Sequence, residues 1–266
     1  MKKFFTLFLI GISILISGCG GQAETAHRQD SIKYDNSTIE LTKKIKTLNI
    51  FVDSGKLQIF CWDNPNISSE IKYTVRAHKS QEQLQKLLGR FSVETAIKDS
   101  TCNIYVKYNG KIKNSEDVYS DIKLTIPRWI KDIKLEQRVG SFILEDKYEG
   151  NVHARLDSVN TEIRALYGAL SLECGKGNMR LDSGRLSDGS AVILQTGNIY
   201  IKNECGNKAG YSFETGTGNI NLNFPAASSI CLNAVGTIEN NQFTGLEGDI
   251  MVNAAAKIGK ISVNGY

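Results

Sequence analysis

One short unit recurs from about residue 139 to the end of the chain: a glycine, a usually polar residue, then an apolar, a variable and an apolar residue. The clearest copies begin at Gly140, Gly168, Gly177, Gly197, Gly218, Gly248 and Gly259, with degenerate copies at Gly150 and Gly236. Side chains alternate across a strand, so the second and fourth residues after each glycine share one face, as Met179 and Leu181 do. A unit this short cannot enclose a core alone, whereas stacked copies can.

The repeat therefore predicts a mainly β fold, with a single-stranded β-solenoid, or β-helix-like stack, over residues 136–266. Glycine followed by asparagine before a strand is typical of a sharp turn with positive φ. The predicted repeat turns are Gly177, Asn178, Gly197, Asn198, Gly218, Asn219, Gly248 and Gly259. Asparagines that recur at one place can also stack into a hydrogen-bonded ladder. The alternative is an antiparallel sandwich with glycine-rich hairpins.

Residues 45–135 are predicted to form an N-terminal β-rich cap that contains one short helix. Alternating apolar patterns predict strands at 48–52, 57–61, 71–75, 91–97, 102–108 and 122–126. Between them, Leu84, Leu87 and Leu88 have the spacing of one helical face, which predicts a helix near 81–88. Ser80 lies three residues before Gln83, which is the spacing of a capping box.

The first 18 residues have the layout of a cleavable export signal. Lys2 and Lys3 precede an apolar run from Phe4 to Ile16, which is shorter than the roughly 20 residues of a membrane-spanning helix. The residues that follow the run, up to residue 44, are mostly polar. We therefore expect residues 1–18 to be a signal peptide and residues 19–44 to be a flexible tether.

The end of this signal, Ile16, Ser17, Gly18 and Cys19, resembles the bacterial lipobox. In that family the cysteine thiol receives a diacylglycerol and a peptidase then cuts just before it. The resemblance implies a lipoprotein that is anchored in the membrane through Cys19 and lies on its extracytoplasmic face. Two acyl chains make a stable anchor where one is marginal. The alternative is an ordinary secretory signal with a chance cysteine.

Charge and cysteine content narrow the partners and cofactors. A net charge of +4 argues against nucleic acid as the main partner. The five cysteines besides Cys19 are Cys61, Cys102, Cys174, Cys205 and Cys231. The first three continue the inward side of alternating strands, so we expect small buried side chains there, with a Cys61–Cys102 disulfide as the alternative. The sequence has no CxxC motif and no cluster of histidines and cysteines, and we expect neither a metal nor a cofactor.

Catalytic residues are not evident. His27, His78 and His153 are expected at the surface, and no nucleophile elbow, P-loop or dinucleotide fingerprint occurs. Asp182 and Asp188 are the nearest candidates for a paired-carboxylate glycosidase site, although aspartates of this kind more often form turns. We therefore predict that the protein is not an enzyme.

Residues 45–266 resemble the bacterial β-strand-repeat family called "putative adhesin", whose function is unknown. The motifs that carry the resemblance are short: residues 48–50, Ile126-Pro127, residues 196–199 and residues 216–220. The resemblance implies a solenoid-like fold on exported or envelope proteins and supplies no catalytic residues.

We therefore expect a lipid-anchored protein with a non-catalytic binding, adhesion or scaffolding role at the bacterial cell envelope. Its expected partners are the membrane, cell-wall glycan, or an envelope or host protein. An envelope-stress sensor and a glycan-acting β-helix enzyme are the alternatives. Because the chain ends at Tyr266 directly after a repeat strand, the sequence also predicts an open sheet edge there, suited to self-association.

Overall fold

The computed structural model describes residues 28–113, 115–205, 208–243 and 248–266; the predicted signal peptide, Cys19 and His27 lie outside the described residues. The described chain holds helix α1 (Gln81–Leu88) and seventeen strands. The first eight strands are β1 (Gln29–Glu40), β2 (Thr47–Trp62), β3 (Asn66–Ala77), β4 (Phe91–Lys98), β5 (Thr101–Tyr108), β6 (Asp117–Pro127), β7 (Asp132–Tyr148) and β8 (Asn151–Gly168). The remainder are β9 (Leu170–Lys176), β10 (Met179–Leu181), β11 (Gly184–Leu186), β12 (Ser190–Thr196), β13 (Ile199–Lys202), β14 (Ala209–Thr217), β15 (Ile220–Phe224), β16 (Ile230–Asn241) and β17 (Ile250–Gly265).

The apolar positions of the repeat form the interior, as predicted. Met179, Leu181, Ile199, Ile201, Ile220, Leu222, Ile250, Val252, Ile261 and Val263 are all at most 4% exposed. Residues between them on the same strands, such as Arg180 and Tyr200, lie on the outer side. The alternation of side chains along each strand therefore separates the core from the surface.

The predicted β-solenoid is wrong, because the parallel strands close into an eight-stranded β-barrel. Hydrogen-bonded neighbours follow one another in the order β8, β9, β12, β14, β17, β15, β13, β10 and back to β8, every pair parallel. Closure depends on the two longest members, because the first half of β8 pairs with β9 and its second half with β10. The two halves of β17 pair in the same way with β14 and β15. The barrel wall thus has two rows of strands. The first row is β9, β12 and β14 with the first halves of β8 and β17, and the second row is β10, β13 and β15 with their second halves.

The N-terminal region joins the same sheet. All six predicted strands are confirmed, and the two predicted at 48–52 and 57–61 are one continuous strand, β2. β2 pairs in parallel with β5, β6 and β7, whereas β3 pairs antiparallel with β6, and β4 with β5. β7 pairs in parallel with β8 and spans the predicted boundary between the cap and the repeats at residues 135 and 136.

A flexible tether is the wrong prediction for residues 29–40. These residues form β1, which pairs antiparallel with β3 from Gln29 opposite Ala77 to Glu40 opposite Asn66. Arg76 donates to both carboxylate oxygens of Asp30 at 2.6 and 2.7 Å, which fastens one end of the pair. Polar composition misled the prediction because an edge strand that is largely exposed has little need of apolar side chains.

Helix α1 is confirmed with its predicted ends. Ser80 accepts a hydrogen bond from the Gln83 backbone N–H, and the Gln83 side chain accepts one from the Ser80 N–H, which completes the capping box. Leu84, Leu87 and Leu88 are buried, as the helical spacing requires. No helix in the described ranges has the length and apolarity of a membrane-spanning segment.

The open edge predicted at the C-terminal strand is also wrong. β17 pairs with β14 and β15 on one side and with β16 on the other. β16, which precedes β17 in the sequence, therefore covers the edge that was predicted to be open. Of the described strands, β16 pairs with β17 alone, and that pairing has register shifts between Val235 and Thr237 and between Ile238 and Asn240. These irregularities lie around Gly236, the degenerate copy of the repeat, which therefore belongs to the outermost layer.

Glycines line the corner where successive chain segments turn from one row of strands to the other. Gly197 has φ 143°, and a Cβ placed on it would overlap the carbonyl oxygen of Gly177 in the next layer. A Cβ on Gly248, also predicted as a repeat turn, would lie 2.7 Å from the backbone nitrogen of Cys231 and the carbonyl oxygen of Ser229. An asparagine ladder runs beside this corner: the Asn198 backbone N–H donates to the Asn178 Oδ1 at 2.9 Å, and the Asn219 N–H donates to the Asn198 Oδ1 at 2.8 Å.

Candidate functional site

An open groove of about 530 Å³ crosses the outer surface of β5, β2, β7 and β8, where the first halves of β2 and β7 extend the first row of strands beyond β8. Two aromatic rings and charged side chains from β2, β5, β7 and β8 line it. We call it the aromatic–arginine groove, defined by Phe51, Asp53, Tyr105, Lys107, Glu136, Arg138, Arg155 and Asp157. The rest of its wall is formed by Val52, Val106 and Gln137.

Strand register places the lining side chains in one row. Tyr105 pairs with Phe51, Phe51 with Glu136, and Glu136 with Arg155, so the row passes directly from β5 through β2 and β7 to β8. Adjacent strands lie about 4.8 Å apart, so the row extends over about 14 Å. Residues more than a hundred positions apart in the chain meet there only because β2 pairs with both β5 and β7.

The aromatic end of the groove is a stacked pair. The ring centroids of Phe51 and Tyr105 are 4.6 Å apart with an interplanar angle of 11°, and both residues are half-buried. The Lys107 Nζ lies 4.7 Å from the centroid of Tyr105, within the range of a cation–π contact. The pair gives the groove a flat apolar surface beside a positive charge.

The arginines of the groove are exposed and make no ion pair with any residue in the described ranges. Neither Arg138 nor Arg155 has a carboxylate oxygen within 4.0 Å, although Glu136 pairs with Arg155 in the strand register. Among the acidic residues, Asp53 has a structural role because its Oδ2 accepts the backbone N–H of Tyr108 at 2.9 Å. Two guanidinium groups thus keep their hydrogen-bond donors available at this surface.

Arginines on the outer surface of the second row are engaged instead. Arg164 lies between three carboxylates, at 2.8 Å from Glu162, 3.5 Å from Asp182 and 3.6 Å from Glu145. The Nε of Arg180 is 2.6 Å from the Asp182 Oδ1, and its guanidinium lies 4.4 Å from the ring centroid of Tyr200. We call these five charged residues the arginine–carboxylate network.

The two aspartates considered for glycosidase chemistry have other partners. Asp182 belongs to the arginine–carboxylate network, where it contacts the guanidinium groups of Arg164 and Arg180. Asp188 lies in a turn, as expected, and its Oδ1 accepts the backbone N–H of Gly210 at 2.6 Å. His153 lies at the surface, as predicted, and the described residues contain no group of side chains that would hold a metal ion.

The cysteines predicted to face inward are buried. Cys61 and Cys102 are free thiols, so the alternative of a disulfide between them is not realised. Burial raises the pKa of both thiols to about 11. The Cys174 Sγ lies 3.5 and 3.4 Å from the carbonyl oxygens of Val159 and Lys176, and its single S–H donates to these backbone acceptors at the corner.

Sequence reasoning did not identify the groove. Phe51 and Tyr105 occupy outward positions of predicted strands, and an aromatic residue at an outward position was the available signal. That signal carries no information about which strand lies beside which. Arg138 and Arg155 have the same appearance in the sequence as any other outward charged residue of an alternating strand.

Comparison with known proteins gives only distant likenesses. No family model and no curated protein matches the chain. Among solved structures, a "putative adhesin" from Bacteroides fragilis is 11% identical with a TM-score of 0.42, and the match covers 87% of this chain and 97% of that one.

A "putative adhesin" from Parabacteroides distasonis is 14% identical with a TM-score of 0.42, covering 88% of this chain and 97% of that one. A "putative cell adhesion protein" from Clostridium sporogenes is 14% identical with a TM-score of 0.37, covering 89% and 100%. These names agree with the family that the repeat motifs resemble. The scores are too low to support an argument about function, which therefore depends on the residues of this chain.

Proposed function

We propose that this protein is a non-catalytic binding protein of the bacterial cell envelope, with an adhesion or scaffolding role. In this proposal Cys19 carries a diacylglycerol that holds the chain at the extracytoplasmic face of the membrane. The aromatic–arginine groove is the surface that engages the ligand.

The observation that carries the proposal is that the two arginines of the groove make no ion pair. Arg138 and Arg155 are exposed beside a stacked aromatic pair and have no ion-pair partner among the described residues. Arginine and aromatic side chains are the groups most enriched where proteins bind their partners. The carboxylates considered for catalysis are engaged in an ion-pair network and a turn, which favours binding over glycan cleavage.

The binding role is tested by retention of the purified full chain, in detergent, on cell-wall glycan, isolated envelopes and host matrix. We expect retention on at least one of these surfaces with no change in the length of any polysaccharide. Shortening of a polysaccharide would replace the proposal with the enzymatic alternative. No retention on any surface would overturn it.

The anchor is tested separately with Cys19→Ser. We expect the unaltered chain to remain with the membrane fraction and to release only with detergent, because two acyl chains anchor stably. The variant should lose this behaviour. If the variant fractionates with the membrane as the unaltered chain does, the lipid anchor is refuted while the binding role is still open to its own test.

A further inference from the structure

We infer that the aromatic–arginine groove binds an acidic polysaccharide whose sugar rings carry carboxylates, that is, a polymer of uronic acid type. This inference depends on the proposed binding function and names its ligand class. It follows from three properties of the groove: its available guanidinium groups, its balance of charge and its flat apolar end.

The guanidinium groups favour a carboxylate. Arginine offers a planar set of N–H donors that matches the two oxygens of a carboxylate, and such bidentate pairs are stronger than neutral hydrogen bonds. In the second row the same chain shows this preference, since Arg164 and Arg180 both contact carboxylates. Arg138 and Arg155 have no such partner within the described residues, so a carboxylate on a ligand supplies the missing one.

The charge balance argues against a dense polyanion. Three cationic residues line the groove, and three acidic residues, Asp53, Glu136 and Asp157, lie among them. A polyphosphate, with a charge on every unit and no hydrogen-bond donors, would be repelled by those carboxylates. A uronic acid polymer carries one carboxylate per ring together with several hydroxyl groups, which donate to carboxylate oxygens.

The aromatic end favours a ring. Phe51 and Tyr105 present a stacked, half-buried apolar surface at one end of a row about 14 Å long. Ligand sites commonly combine such apolar surface with a few polar groups that fix orientation. The apolar face of a sugar ring can pack on these aromatic rings while its carboxylate reaches the arginines, whereas a phosphate has no apolar face to offer.

The experiment measures binding of the full chain, in detergent, to polygalacturonate, to the same polymer with its carboxylates reduced to alcohols, and to inorganic polyphosphate. We expect polygalacturonate to bind at least about tenfold more tightly than either comparison polymer. Equal binding of the reduced polymer or of polyphosphate would overturn the inference. Binding to envelopes without binding to polygalacturonate would overturn the ligand class and leave the proposed function standing.

Paired substitutions locate the site. The double variant R138Q/R155Q should weaken polygalacturonate binding by about tenfold or more, whereas R180Q, which removes an arginine beside an aromatic ring in the second row, should change it by less than about twofold. Unchanged binding of R138Q/R155Q would overturn the inference. The melting curve of the double variant establishes that it is folded, and R155K provides a milder change that keeps the charge and loses the planar donor set.

Discussion

The outer surfaces of the two rows of strands use the same residue type in opposite ways. In the arginine–carboxylate network, Arg164 contacts carboxylates on its own strand and on two adjacent segments, and Arg180 contacts the carboxylate two residues along its own segment. In the aromatic–arginine groove, Arg138 and Arg155 lie among acidic residues without an ion pair in the described part of the chain. Arginines that already have partners serve the fold, and arginines without partners are available to a ligand. The contacts that each arginine makes therefore distinguish the two roles where composition does not.

Both surfaces lie on strands that turn at the glycine corner. The largest expected effect therefore comes from a substitution at this corner, which should destabilise the fold that carries both surfaces. Gly197→Ala should lower the free energy of unfolding by about 3 kcal/mol or more, because a Cβ would overlap the Gly177 carbonyl oxygen and φ is 143°. Chemical denaturation followed by circular dichroism measures the loss, and binding in the groove should fall with it.

The matched control is Gly189→Ala, which keeps the unfavourable backbone without the overlap. Gly189 has φ 77°, and a Cβ there would meet no atom within 4 Å. This variant should cost about 1 kcal/mol. If Gly197→Ala costs no more than its control, the close approach of layers at the corner is not what requires glycine.

A second test frees an arginine of the arginine–carboxylate network so that it can bind a ligand carboxylate, as the arginines of the groove are proposed to do. Asp182→Asn removes the carboxylate nearest Arg180 and leaves that guanidinium beside the Tyr200 ring. In the R138Q/R155Q background we expect about fivefold recovery of polygalacturonate binding, because a bidentate donor set becomes available. Titration calorimetry measures the affinity. Glu145→Gln is the control, since Glu145 contacts Arg164 rather than Arg180; equal recovery with both variants would refute the explanation.

A smaller effect is expected from breaking the network itself. Arg164→Gln leaves three neighbouring carboxylates without their shared cation and should lower the free energy of unfolding by about 1 kcal/mol, since the group is about half exposed. Arg138→Gln should change it by less than about 0.5 kcal/mol. Urea denaturation compares them, and the comparison of the two surfaces fails if Arg138→Gln is equally destabilising.

The smallest expected effect is the change in maleimide labelling of the buried thiols on substitution of the surface arginines. Burial raises the pKa of Cys61 and Cys102 to about 11, so at pH 8 both stay protonated and unreactive. Maleimide labelling read by mass spectrometry should leave them unmodified in the native chain and in R138Q/R155Q. Gly197→Ala should increase labelling of both. Rapid labelling of Cys102 in the folded, unaltered chain would show that the layer beneath the groove is not closed.

Features predictable from the sequence are those with a local cause. The inward positions of the repeat follow from the alternation of a strand, and helix α1 follows from the spacing of three leucines and the Ser80–Gln83 capping box. The asparagine ladder beside the corner follows from asparagines at one point of each repeat. The alternation and the helix depend on residues within a few positions of one another, and the ladder depends on a repeat of regular period, so the sequence itself contains the information.

Features that were missed depend on which strands become neighbours. The barrel closes because β8 and β17 are long enough to serve both rows, and the residue pattern of a long strand is that of two short ones. β16 is the outer strand of its pair with β17, although β17 comes later in the chain. β1 forms in a polar segment because β3 offers a free edge. Strand order is decided by competition among distant partners.

The amino-acid sequence by itself determined the side of each repeat strand that is buried, the glycines at the corner and the helix, because backbone conformation and side-chain alternation are local properties. Tertiary structure alone decided that the rows close into a barrel and that Phe51, Tyr105 and Arg155 share a groove. It also decided that Arg164 meets Glu145 and Asp182 besides Glu162 of its own strand, while Arg138 and Arg155 contact no carboxylate in the described chain. The physical reason is that the charge environment of a side chain includes groups on strands from other parts of the chain, which local pattern does not specify.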